Sequence, residues 1–500
     1  MPSEARLREL QLECHADDIQ LTEEMLSWPE ERAREYLLSG GEQLDSLQPP
    51  AGHCAPCESR EGVVYTAWRV WDGLSDVCMR DAGGALMCVA VLGELIAFVG
   101  SLAELPAELA RLNRVDYGDA TIMPGLIDAH VHIEFDPRYG LHDQPELSVS
   151  QHDRQMQVRA AAMARHGITT ARDLGGRGGA FRLREQIRSG ACIGPRLLVA
   201  GQAVTRPGGH CHQWGGAAKD ETEMVKVIQR QVANSADLIK VMATGGVRTA
   251  GTNPAQSAFT SKEMRIAVAC AAAAGLRVAA HAHGVHGIRA CADAKVGTVE
   301  HCSWVDERGR WGCVDRKCAA ALAQAGTFVC PTVPASWGQS RFQGLKQTMG
   351  AAYRVMLSAG VRFAAGTDSG AIPNVWHHQL LDGLLVFGDA AEMSAAQLLR
   401  CATSEAAAAC ALEATTGMLT DGYAADLLVV PGNPLRPAHP QADFFEELER
   451  SLRHPLAVVC RGMHIEPCQP PASSYPAWTA SGDVRACACT LTARGQAPST

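Results

Sequence analysis

The sequence predicts an α/β protein: a (β/α)8 barrel of the TIM type, carrying a small β-sandwich formed by both flanks of the barrel. Two observations predict it. Strand-like and helix-like stretches alternate from residue 125 to about residue 410, the signature of repeated βα units. Short apolar runs of period two stand on either side of that region, so its two ends are expected to share one β-domain. The composition permits this. With 47% hydrophobic and 20% charged residues over 500 positions, the chain can bury a large core and is not disordered by composition.

In chain order, residues 1–61 read as an N-terminal extension, with a charged helix-compatible stretch at 21–38 and a Gly/Pro-containing segment at 40–57. It holds Cys54 and Cys57 beside His53, but a zinc ribbon needs a second pair close by and none follows, so the CxxC is taken as chance. Residues 62–124 and 411–466 form the composite β-domain. The runs 63–71, 87–91 and 95–99 are separated by Asp72-Gly73 and Gly93-Glu94 and read as antiparallel strands. The runs 425–430, after Asp421-Gly422, and 457–465, which contains Arg461-Gly462, return to the same sheet. Residues 125–410 supply eight strand candidates: 126–132, 168–173, 196–204, 238–242, 277–283, 298–302, 327–333 and 362–368. Ala-rich helices such as 262–274 and 314–325 separate them. Eight parallel strands with intervening helices close most simply into a barrel, whose chemistry sits at the C-terminal strand ends. The tail, 467–500, is rich in Pro, Ala, Ser and Thr and is expected to be flexible.

Charge narrows the function. The chain has 45 Lys+Arg against 54 Asp+Glu, a formal charge of -9, and no long basic block, which argues against nucleic acid or an anionic membrane as partner. A small-molecule substrate is the expectation, and a homo-oligomer is compatible with it. The longest apolar stretch, 85–100, is interrupted by Gly93 and Glu94 and is shorter than the ~20 residues that cross a bilayer. Glu4, Glu9, Glu13, Asp17 and Asp18 stand where a secretory signal would be basic and then apolar, so a cytoplasmic location is expected. The 19 cysteines are odd in number and irregularly spaced, and read as reduced thiols.

Polar groups that suit a metal gather at the expected strand ends. The first strand ends His130-Val131-His132, and strand alternation points both imidazoles into the barrel mouth. Strand four places Lys240 among apolar residues, where a free ammonium is costly. Strand five ends His281-Ala282-His283, strand six Glu300-His301 and strand eight Gly366-Thr367-Asp368. Any one of these could be a satisfied or surface residue. Together, such groups at five strand ends make a poor chance pattern.

The string Pro124-Gly125-Leu126-Ile127-Asp128-Ala129-His130-Val131-His132 resembles the opening motif of the amidohydrolase superfamily. Three later strings, 168–176, 240–246 and 281–284, are similar to the branch holding Xaa-Pro dipeptidases, Xaa-Arg/Lys carboxypeptidases and ochratoxinase-like amidases. The likeness runs from about residue 65 to 466, and residues 422–427 resemble the family's return strand.

The resemblance implies a binuclear site. His130 and His132 would hold one divalent ion, His281 and His301 the other, with a carboxylated Lys240 bridging them and Asp368 as both ligand and base. Carbon dioxide, bound as the lysine carbamate, would turn the cation into an anionic oxygen ligand. Zinc suits this donor set best, with manganese, iron and cobalt open. A hydroxide bridging the two ions would attack the scissile carbonyl, and Asp368 would carry its proton to the leaving nitrogen. His281 is preferred to His283 as ligand, and His283 is placed near the substrate. His210 and His212 match a family stretch that lines the substrate pocket, although structural use is equally open. Arg248 could pair with a substrate carboxylate or be a solvated loop residue. Cys211 and Cys302 stand where the family pattern has glycine; Trp214 and Trp304 could wall the pocket or simply pack. The expected activity is hydrolysis of the C–N bond of a dipeptide or N-acyl amino acid. The alternatives are a cyclic amide, lactone or organophosphate on the same site, or a non-catalytic assembly protein on the same barrel.

Overall fold

Alternate residues of the flanking strands face two different cores in the computed structural model, which describes residues 62–436 and 444–468. The expected extension 1–61, with its CxxC, and the tail from 469 onward lie outside the described residues. Strands β1 (Val63–Ala67), β2 (Arg69–Val70), β3 (Met87–Leu92), β4 (Leu95–Ser101), β5 (Asn113–Asp116) and β6 (Ala120–Pro124) precede the barrel. After the barrel strands, β7 to β13, come β14 (Leu427–Pro431), β15 (Ala457–Cys460) and β16 (Met463–Ile465). One sheet has the order β4-β3-β1-β5 and the other β16-β15-β14-β6-β2, so the second joins segments from both ends of the barrel. Leu427 and Val429 pack with Tyr65, Val89 and Ile96 in the core shared by the two sheets. Leu428 and Val430 belong to the core of the barrel, so period two gives this strand one face for each.

The runs expected to be antiparallel pair as such, β1 with β3 and β3 with β4, but two strands that the sequence reading did not anticipate pair in parallel. β5 runs parallel to β1, and β6 parallel to β2. All four residues of β5 are exposed, so it carries no apolar alternation by which a sequence would mark it as a strand.

Barrel strands β7 (Leu126–Val131), β8 (Ile168–Asp173) and β9 (Arg196–Val199) form one parallel run. β10 (Ile239–Met242), β11 (Val278–Gly284), β12 (Thr298–Val305) and β13 (Phe328–Cys330) form another. Val204 joins them: its N–H donates to the Lys240 carbonyl at 2.8 Å and its carbonyl accepts from Met242 N at 2.8 Å. The expected eighth strand is not a regular ladder. It touches β13 at Phe363 and β7 at Ser369, with Ala129 N–H donating to Ala365 O at 2.9 Å. This closes the ring. Gly366 lets this segment press against its neighbours, because a Cβ there would run into Cys330 Sγ and lie 2.8 Å from the Cβ of His130.

The helices start where the sequence offers caps. Ser148 with Gln151 and Thr260 with Glu263 form capping boxes at Val149–Arg165 and Ser261–Ala273, and Asp315 caps Arg316–Gln324. No helix among the described residues is long and apolar enough to cross a membrane, and the described cysteines are free thiols.

Candidate active site

The C-terminal ends of β7, β10, β11 and β12, together with the loop at Asp368, bring the histidines, the lysine and the aspartate into one buried cluster. Imidazole centroids lie 5.3 Å apart for His130–His132, 5.1 Å for His130–His301 and 4.7 Å for each pair among His281, His283 and His301. The register explains the convergence. Met242 pairs with His281 and His281 with Glu300, so the ends of three adjacent strands stand level.

Each imidazole is held by its outer nitrogen. His130 Nδ1 meets Glu300 Oε2 at 2.8 Å, His132 Nδ1 meets the Gly175 carbonyl at 2.7 Å, and His281 Nε2 meets the Gly245 carbonyl at 3.1 Å. Carbonyls and carboxylates only accept, so those nitrogens carry the protons and the opposite nitrogens present lone pairs. His301 is held by the Thr332 hydroxyl at 2.7 Å. Burial first, and then the neighbouring imidazoles, pushes the pKa of His281 and of His301 well below the usual range. They are neutral at neutral pH, as metal ligands must be.

The inner nitrogens test whether these residues fit a metal. His130 Nε2 and His132 Nε2 both lie 3.2 Å from Asp368 Oδ1. Two lone pairs and a carboxylate oxygen converge without a proton between them, a crowding of acceptors that a cation relieves. The donor set therefore fits a divalent ion. Two groups of donors lie close enough to hold an ion here, His130 with His301 and Asp368, and His281 with His283 and His301. A third joins His130, Glu300 and Cys330. Burial raises the Cys330 thiol far above the usual range, so it stays protonated, and Glu300 is already committed to His130.

Lys240 is buried at 2% exposure, and no carboxylate stands within ion-pair distance of its amine among the described residues. Burial lowers its pKa, opposed by the more distant Glu300 and Asp368. A buried amine without an anionic partner is the one donor of the set that the protein alone leaves uncompensated.

Of the expected substrate groups, His210 is buried beside His281, with centroids 4.5 Å apart, and His283 is bound through Nδ1 to Ser303 Oγ at 2.9 Å. His212 bonds its own turn at the Gly209 carbonyl, 2.9 Å away, and Arg248 is exposed without an ion pair among the described residues. The Trp214 ring centroid lies 5.3 Å from that of His132 and 5.4 Å from that of Phe135. Trp304 is fully buried and donates to the Met356 sulfur. Cys211 and Cys302 hold left-handed backbone at φ 56° and 49°, a conformation that favours glycine.

Sequence reasoning assigned no role to several residues of the site. Glu300 bonds His130 and, through its other oxygen, Arg172 at 3.2 Å, and both Arg172 and Glu300 are buried. Asp128 accepts from the N–H groups of His130 and Thr367, each at 3.1 Å, tying the first strand to the last. Its carboxyl is pushed up to about 7 by burial. The signal for Glu300 was its position immediately before His301; nothing local marks its reach to β7.

A barrel with imidazole lone pairs and a carboxylate converging at its C-terminal mouth defines a metal-dependent hydrolase architecture. The chain belongs to the amidohydrolase family, which matches residues 121–462, and is a hydrolase of carbon–nitrogen bonds. It is 28% identical over 380 residues to an ochratoxinase of Aspergillus niger, covering 68% of this chain and 76% of that one. It is 24% identical over 359 residues to an imidazolonepropionase of Rhizobium rhizogenes, covering 67% and 84%. Among solved structures, a Xaa-Pro dipeptidase with bound methionine superposes with a TM-score of 0.68 at 24% identity, over 81% of this chain and 99% of that one. These likenesses of fold agree with the barrel and the small β-domain.

Proposed function

We propose that the protein is a binuclear metal-dependent amidohydrolase that cleaves the C–N bond of a dipeptide or an N-acyl amino acid. The observation that carries this is the meeting of His130 Nε2, His132 Nε2 and Asp368 Oδ1 beside a buried, anion-free Lys240. His130, His132 and Asp368 would hold one divalent ion and His281 and His301 the other, with Lys240 between them as its carbamate; zinc suits the donors best. The ions, when bound, polarise the scissile carbonyl and lower the pKa of the attacking water. The protein's own groups do the rest. Asp368 turns Oδ1 toward the two histidines, where it would share the ion with them, and Oδ2 would take a proton from water and return it to the leaving nitrogen. The depressed pKa of Lys240 raises the neutral amine fraction that reacts with carbon dioxide. His210, buried beside His281, and His283 would contact the substrate, and His212 and the exposed Arg248 are the candidates for a substrate carboxylate.

Purified protein should contain about two transition-metal ions per chain by elemental analysis and hydrolyse members of a panel of Xaa-Pro dipeptides, Xaa-Arg dipeptides and N-acyl amino acids. A metal content near zero after growth in metal-replete medium, with no turnover on adding zinc, manganese or cobalt, defeats the proposal. The imidazolonepropionase likeness places cyclic amides in the same panel.

A further inference from the structure

Trp311 stands on the loop that follows β12, at the end of the barrel where the buried cluster lies. The loop folds back on its own strand and is held from within. Gly312 and Cys313 donate their N–H groups to the carbonyls of Ser303 and Trp304, each at 3.0 Å. Asp306 closes the turn: Oδ1 accepts from the N–H groups of Arg308 at 3.0 Å and Arg310 at 2.8 Å, and Oδ2 from the Arg310 guanidinium at 2.8 Å. Gly312 lets the loop press on the helix Gln343–Ser358, because a Cβ there would come within 2.9 Å of Thr348 Cγ2. So fixed, the loop sets the Trp311 ring centroid 5.6 Å from that of His283 on β11. His283 is itself buried and stacked on His301, with centroids 4.7 Å apart. Phe135 and Trp214, which pack on His132, are buried at 2% and 3% exposure. Trp311 is only half-buried, so among the described residues it is the ring against the imidazoles that still leaves apolar surface in water.

An apolar face held rigid beside the cluster loses little freedom when a flat group covers it, and the burial of both surfaces is gained. We infer that Trp311 is a specificity-determining residue: its indole walls the substrate site beside His283 and selects substrates that carry an aromatic ring next to the scissile bond. The selectivity rests on the hydrolase reading above. Binding of a ring to the wall does not.

Nitrogen–proton NMR on the zinc-loaded protein reads the wall without turnover. The chain has 9 tryptophans, and the Trp311 indole signal is the one lost in Trp311→Phe. Benzoate should shift that signal, and acetate at the same concentration, which shares the carboxylate but lacks the ring, should not. Kinetics read the selectivity. Trp311→Ala should lower kcat/KM by about tenfold on N-benzoylglycine and N-acetylphenylalanine and by less than about twofold on N-acetylglycine, and Trp311→Phe, which keeps a ring, should recover most of the loss. If Trp311→Ala does not fold, Trp311→Leu, which keeps apolar volume without a ring, takes its place. An indole signal indifferent to benzoate, or equal effects on the three substrates, overturns the inference. Absence of hydrolysis on all three, with the benzoate shift as expected, counts against the hydrolase reading alone.

Discussion

Glu300 Oε2 lies 2.8 Å from His130 Nδ1, so a carboxylate on β12 sets the proton of an imidazole on β7. The same carboxylate faces the buried Arg172 guanidinium, which with the His130 bond holds its pKa well below the usual range despite burial.

Glu300→Gln should therefore disturb the metal site without touching a ligand. Loss of an outer partner of this kind costs roughly 10- to 100-fold in metal affinity, which chelator competition measures. The variant also leaves Arg172 buried without its counter-charge, so its melting temperature should fall. Unchanged affinity would show that His130 is oriented by other means.

Lys240→Ala should lose metal and activity together. Acetate or propionate should restore part of both by supplying the missing oxygens, and bicarbonate and rising pH should speed reconstitution of the metal-free wild type. A crystal structure of the metal-loaded enzyme should show a carboxylate on the lysine nitrogen. A bare ammonium there, or a Lys240→Ala variant that holds two ions and turns over normally, excludes the carbamate bridge.

Asp368→Asn keeps the shape of a side chain that His130 and His132 enclose but removes its capacity to carry a proton. Most of the metal should remain, by elemental analysis, while turnover falls by the ~10² to 10⁴ of a lost acid–base group. Full activity would move the proton transfer to another residue.

His378 should make stability sensitive to acid through a ring that is not among the site's donors. Burial, and then the His166 ring packed 4.6 Å away, pushes its pKa down to about 3. The unfolded chain binds a proton there near pH 6.5 and the native state does not, so stability is full above that value and declines as pH falls toward 3. Thermal unfolding between pH 7 and 4 should show this decline, reduced in His378→Phe. A pH dependence identical in the two proteins assigns the acid sensitivity to other groups.

Much of this arrangement is legible in the chain because period two and strand ends are local properties. The first barrel strand announces itself through its apolar run and its alternating histidines, and β8 runs over the residues expected of it. The partners that aim the imidazoles are not local. The carbonyls of Gly175 and Gly245 and the hydroxyl of Thr332 belong to loops, and no local pattern says which imidazole each will reach. Asp368 adopts φ 56° and Cys302 φ 49° where a sequence reader would look for glycine, so tertiary packing overrides backbone preference there. Arg248, close to Lys240 in sequence, stands exposed on the loop after β10, so nearness in sequence does not by itself bring it to the buried cluster.

The backbone bond from Asp368 N–H to the His130 carbonyl, 2.8 Å long, also carries a message about biogenesis. It joins the first barrel strand to the last, so a ribosome delivers the two partners at opposite ends of the barrel's synthesis. A nascent chain exposes the His130–His132 pair to the cell's metal pool well before it owns the carboxylate that completes the pocket. Ring closure of this kind is a long-range, slow event. An ion held as proposed would find its full donor set only once the barrel has shut.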